Sequence, residues 1–162
     1  AEQYRNAGQY DEAIRIADEA LALNPQHAGA ISTKGVSIAK QGDFETALAL
    51  LKPIQNAPAW GAHYGAVLAL AGREQEARAY LDNIEKVPRN ILALIFVYAA
   101  LGDTDEVFHW MNVAKEVRLP WYPWFITWFP NMDSMRNDPR MDKLAAELEL
   151  TEALARARAL GR

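Results

Sequence analysis

One six-residue phrase returns along the chain at a nearly constant pitch. Gly8-Gln9-Tyr10-Asp11-Glu12-Ala13 is echoed by Gly42-Asp43-Phe44-Glu45-Thr46-Ala47, then by Gly72-Arg73-Glu74-Gln75-Glu76-Ala77 and Gly102-Asp103-Thr104-Asp105-Glu106-Val107. The glycines stand 34, 30 and 30 residues apart. A stretch of that length holds two helices and a turn, too little to enclose a core, so each unit must bury its apolar side on the next. The fold class expected is therefore all-α, a solenoid of about 3.5 helix pairs.

Every unit shares one grammar. An apolar first helix ends at the glycine, which takes left-handed dihedrals without a Cβ penalty. An acid just after the glycine can cap the second helix, and Asp103 with Glu106 has capping-box spacing. Helix pairs are expected at 27–41 with 44–55, 58–71 with 74–86, and 88–101 with 104–118. A stub and a helix over 11–23, closed by Asn24-Pro25, precede them. Pro53 should kink or end its helix, because it removes a backbone donor. Gly35 with Ala47, Gly65 with Ala77 and Ala1 with Ala13 stand twelve residues apart and are expected to face one another. Ile95 and Val107 break that rule, and a wider separation is expected there.

These units resemble the tetratricopeptide repeat family, through Ile31, Lys34, Gly35, Ile38, Ala47 and Leu51 in one unit and Gly61, Tyr64, Gly65, Leu68, Ala77, Leu81 and Ile84 in the next. Ala13, Ala17, Ala20 and Pro25 supply the strongest half-match, and Ile91, Leu94, Ile95, Tyr98, Val107, Met111 and Ala114 the weakest. The resemblance implies a right-handed superhelix over 1–118, divided into 1–25 (partial), 26–56, 57–87 and 88–118. Residues 119–162 are expected to form an aromatic cap and C-terminal capping helices of the same domain. The stretch from Asp133 to Met141, with its Asp138-Pro139-Arg140, resembles a tail that follows such arrays in bacterial multidomain signalling and regulatory proteins. Asp138 at the N-cap with Pro139 next marks a helix start.

Pro120 to Pro130 is the densest aromatic run, and Trp121, Trp124, Phe125 and Trp128 share one helical face. The expectation is that they seal the open end of the last unit; a partner-binding or self-association patch at Trp121, Trp124 and Trp128 is the sharper alternative. Arg156, Arg158 and Arg162 on the final helix read as a solvated face.

Net charge is -4, which argues against a general nucleic-acid surface. Without cysteine the chain has neither disulfides nor thiolate metal sites. No apolar run reaches a membrane span and no export signal is visible, so a cytoplasmic location is the default. The chain opens on Ala within a unit and is expected to be a piece of a longer protein.

His27, His63 and His109 lie in three different units at unlike phases, which gives no basis for a metal site or catalytic pair. Asp103, Asp105 and Glu106 read as capping residues, and His63 as a satisfied histidine at a helix surface. No nucleophile, phosphate or dinucleotide motif is present, so no enzyme activity and no cofactor are expected. What remains is the inner wall. By position in the family, that wall holds Ser32, Val36, Lys40, Ala62, His63, Ala66, Leu92 and Phe96. Some family members hold a C-terminal carboxylate with clustered Lys, Arg and Asn; only Lys40 stands at such a place, so that cluster is absent. The expected function is a protein–protein scaffold that takes a peptide or partner domain in an apolar groove, which Phe96→Glu should disrupt. The alternatives are a homo-oligomerisation module, and a regulatory or sensor region of a larger signalling enzyme or transcription regulator.

Overall fold

The computed structural model describes residues 1–57, 60–120, 122–123 and 135–159, and every regular element among them is helical. In chain order these are α1 (Glu2–Asn6), α2 (Tyr10–Leu23), α3 (Ala28–Lys40), α4 (Phe44–Leu51), α5 (Ala62–Leu70), α6 (Glu74–Asp82), α7 (Ile91–Leu101), α8 (Thr104–Glu116), α9 (Pro139–Glu147) and α10 (Thr151–Ala159). Each helix packs on the next from α1 to α8, and the first helices also pack on one another, α1 on α3, α3 on α5, α5 on α7. The result is the layered series of antiparallel pairs that the repeating phrase requires.

The phrase works through its glycines. Gly8, Gly42, Gly72 and Gly102 have φ of +77°, +95°, +75° and +75°. In each turn the following amide reaches back five residues: Gln9 to Tyr4, Asp43 to Ile38, Arg73 to Leu68 and Asp103 to Tyr98, at 2.9–3.3 Å. This is the Schellman closure, which satisfies carbonyls that the helix end would leave free.

Capping is less uniform than the phrase implies. Asp43 Oδ1 accepts the Thr46 amide at 3.1 Å and caps α4. Asp103 makes no side-chain cap, so the capping box with Glu106 does not form. Its Oδ2 accepts instead from Arg78 Nη1 at 3.4 Å, and Asp105 receives Arg140 Nη1 at 2.8 Å. An arginine contributed by another unit has taken the carboxylate from the backbone. His27 caps α3, its Nδ1 accepting from the Ala30 amide at 3.1 Å.

Pro53 ends α4. The α-helix stops at Leu51, and Pro53 sits in a 3-10 turn over Lys52–Ile54. With no N–H to give, it cannot continue the ladder. α6 stops at Asp82 rather than 86, and α7 starts at Ile91 after a 3-10 turn over Pro88–Asn90. Val87 is extended (φ −123°, ψ 158°), as the residue before a proline prefers.

The close approaches involve bulkier neighbours than expected. A Cβ at Gly35 would lie 2.6 Å from Leu51 Cγ, and one at Gly65 would lie 2.4 Å from Tyr80 Cδ1 and 2.9 Å from Val97 Cγ2. The alanines twelve residues on are buried, but a large side chain one turn beyond each alanine fills the space. Tyr80 is held there, since its hydroxyl donates to the Gln55 carbonyl at 2.8 Å. Ile95 and Val107 are both fully buried.

α9 lies against α8, and α10 packs on α9. Asp138 Oδ1 caps α9 through the Arg140 amide at 2.8 Å, with Pro139 at the first position. Arg140 lies 4.2 Å over the Phe108 ring, and Lys115 pairs with Glu147. Arg158 is not a merely solvated arginine: it donates to the Arg136 carbonyl at 2.8 Å and to Asp142 at 2.7 Å. Arg156 does face solvent, 3.6 Å from Glu152. Trp121, Trp124, Phe125, Trp128 and Arg162, for which a cap, a patch and a solvated face were expected, lie outside the described residues.

Candidate functional site

The inner wall expected by position falls on the row of first helices, which pack on one another. Of its eight expected residues, Ser32, Val36, Ala62, His63, Ala66 and Phe96 are buried, Leu92 is half-buried and Lys40 is exposed. Small residues bring helices close here: Gly65 meets Val97 of α7 as well as Tyr80 of α6, and Gly35 meets Leu51 of α4. A Cβ at Gly29 would already stand 3.2 Å from the Trp60 ring. Phe96→Glu therefore places a charge in the interior and tests stability, not the groove.

His63 is the polar centre of this wall. It is 6% exposed, not a surface histidine. Its Nδ1 lies 2.9 Å from Ser32 Oγ and 3.2 Å from the Trp60 carbonyl. The ring stands 6.4 Å from Trp60 and 5.6 Å from Phe96. Burial, with help from the positive charge of Arg5, pushes its pKa down to about 3. The imidazole is thus neutral at physiological pH, and it joins α3 to the start of α5 as a hydrogen-bonding group.

The Ser32–His63 distance is that of a serine beside its base. Ser32 has no exposed surface, however, and among the described residues no carboxylate bonds the imidazole. The hydroxyl is enclosed by the chain's own atoms, and the pair links α3 to α5. His27 caps a helix, and His109 is exposed with its ring 5.1 Å from Trp110. Among the described residues no cluster of ligating side chains could hold a metal ion.

Arg5, on α1, is a half-buried cation whose charge His63 feels, and sequence reasoning passed over it. Its Nε donates to Asn6 Oδ1 at 3.2 Å. Its Nη1 is sealed from solvent and has no hydrogen-bond partner. Burial pushes its pKa down, opposed by Glu2 one turn back. The one available signal was its place as the sole basic residue of the stub helix.

Outward-facing cations behave differently. Arg15 bridges Glu12 and Glu19 at 2.6 and 2.5 Å, Arg73 pairs with Glu76 at 2.6 Å, and Lys34 with Asp18 at 2.6 Å. Such exposed pairs contribute little stability, but they neutralise the outer face locally.

The family model described as tetratricopeptide repeat matches residues 4–71. That region runs from α1 through α5, and the helix pairs there are consistent with a solenoid of that kind. No curated protein and no solved structure matches the chain. Repeats of this kind generally mediate protein–protein interactions and are typically non-enzymatic scaffolds. No helix among the described residues is long and apolar enough to cross a membrane.

Proposed function

We infer that this chain is a recognition scaffold which takes a peptide segment of a partner protein along its inner wall. The observation that carries this reading is the unbroken row α1, α3, α5, α7, together with the repeat match over 4–71. A row of parallel first helices presents one long face, and its side chains are apolar with few charges. Because Val36 and Phe96 are buried by the chain's own atoms, a peptide reaches them only by displacing those atoms. Lys40 and Leu92 are the accessible rim, where contact begins.

The test uses apolar peptides selected by display against the whole chain, with affinity read from tryptophan fluorescence. Lys40→Glu and Leu92→Glu should each weaken binding about tenfold, roughly 1.4 kcal/mol. Arg15→Glu on the outer face should leave it unchanged. Peptides indifferent to both rim changes would refute the inner wall as the binding face.

A second reading has its own support. Leu23 at the end of α2 is 90% exposed and Tyr4 on α1 is 40% exposed. Exposed apolar side chains can support self-association. Sedimentation velocity decides it: a dimer that disappears in Leu23→Lys supports this reading, and a monomer at every concentration removes it.

A further inference from the structure

We propose that the array bends at one junction, between the second helix pair (α3, α4) and the third (α5, α6), with α5 to α8 moving as one block. The first helices meet very differently on the two sides of α5. α5 runs closely along α7, whereas α3 and α5 touch over a much shorter stretch. Side-chain size accounts for the difference. Gly65 stands at the α5–α7 contact, where a Cβ would come within 2.9 Å of Val97 Cγ2, so the two backbones lie close. Between α3 and α5 stand rings instead: Trp60 sits against Gly29, and His63 reaches Ser32. The first junction is also close, with α2 lying along α3. α4 still rests on α5, which makes the second junction a pivot rather than a gap. In a stacked array each interface contributes its own stability, so bending concentrates where the packing is least.

Polar links stand in for packing at this junction. Ser32 Oγ lies 2.9 Å from His63 Nδ1, and the Tyr80 hydroxyl of α6 donates to the Gln55 carbonyl beyond α4 at 2.8 Å. Arg73, whose Nε is committed to Glu76 of its own helix, brings Nη1 only to 3.8 Å from Glu45 of α4. The neighbouring junctions carry shorter ion pairs, Lys34 to Asp18 at 2.6 Å and Arg78 to Asp103 at 3.4 Å. A hydrogen bond weakens steeply once its geometry is lost, so two such bonds act as a latch that holds the junction shut or lets it go. Release parts α3 from α5 and admits water to Ser32 and His63, which are buried while the latch is closed.

The experiment measures three distances in the whole chain by pulsed electron paramagnetic resonance. The chain has no cysteine, so spin labels attach only where one is introduced. Ala49→Cys with Ala79→Cys spans the hinge from α4 to α6, Glu19→Cys with Ala49→Cys spans the first junction, and Ala79→Cys with Asn112→Cys spans the third, all at exposed positions. Adding Ser32→Ala and Tyr80→Phe removes both hydrogen bonds of the latch. The α4–α6 distances should then broaden or split in two, while the other two distributions keep their widths. Equal broadening at all three junctions overturns the hinge in favour of uniform bending, and broadening elsewhere or nowhere overturns it as well. Circular dichroism checks that the doubly altered chain is folded. Should it not be, Tyr80→Phe alone, which keeps the ring and loses one bond, takes its place: the α4–α6 distances should still broaden, by less, and unchanged distances there overturn the proposal.

Discussion

α2 and α8 are each introduced by the same phrase, and they live in different surroundings. α2 buries Ala13 and Ala17; α8 buries Val107, Phe108, Trp110, Met111 and Ala114. Counted from their glycines, Ala13 corresponds to Val107, Ile14 to Phe108, Ile16 to Trp110 and Ala17 to Met111. The backbone route is common to both helices, but the volume required at each position is not. α8 is covered on its outer side by α9, with Arg140 over Phe108, and it takes large side chains there. α2 has no such cover among the described residues, and Leu23 at its end stands in water. A repeat phrase dictates where the chain goes, while its neighbours in the stack dictate what each position must fill.

The sharpest way to break this comparison is a matched pair of truncations. Phe108→Ala should cost about 3–5 kcal/mol, because it empties a site enclosed on both sides. Ile14→Ala, at the equivalent place on half-buried α2, should cost less than half as much. Urea unfolding measures both, and equal losses would show that cover does not set the difference. A smaller effect sharpens the same idea inside the array. Gly65→Ala forces a Cβ to 2.4 Å from a Tyr80 ring that is anchored through its hydroxyl, at a cost of about 1–3 kcal/mol. Gly35→Ala brings its Cβ to 2.6 Å from Leu51 Cγ, on a side chain that no hydrogen bond anchors, and should cost less. The smallest effect per step is in pH. His63 has a folded pKa of about 3 against an unfolded value near 6.5, so its contribution is complete above 6.5 and is lost as the pH falls towards 3. The slope from this group should approach about 1.4 kcal/mol per pH unit within that window. His63→Gln should flatten the acid limb of the stability curve; an unchanged limb would mean that the imidazole is not sealed.

Much of the architecture was legible from residue types alone. The glycine pitch located the turns, Pro53 the early end of α4, and Asp138-Pro139 the start of α9. These features depend on local backbone chemistry, which a sequence carries directly. The misses all depend on residues far apart in the chain. Asp103 caps nothing because Arg78, 25 residues earlier, binds it. Gly35 has Leu51 as its nearest neighbour, since the side chain with the longer reach fills the gap. The inner wall, placed by analogy of position, is mostly interior, enclosed by the chain's own atoms. Arg5 escaped notice because a sequence does not show which donor has been left without an acceptor.

The four turn glycines have one more consequence, which concerns handedness. The positive φ of Gly8, Gly42, Gly72 and Gly102 disfavours ordinary amino acids but is natural for mirror-image ones. D-alanine at these places would stiffen the unfolded chain while preserving every turn. By analogy with glycine replacement at compatible sites, each would contribute about 0.4–1 kcal/mol. A chemically assembled version of this array could therefore be hardened at its four corners without touching either face.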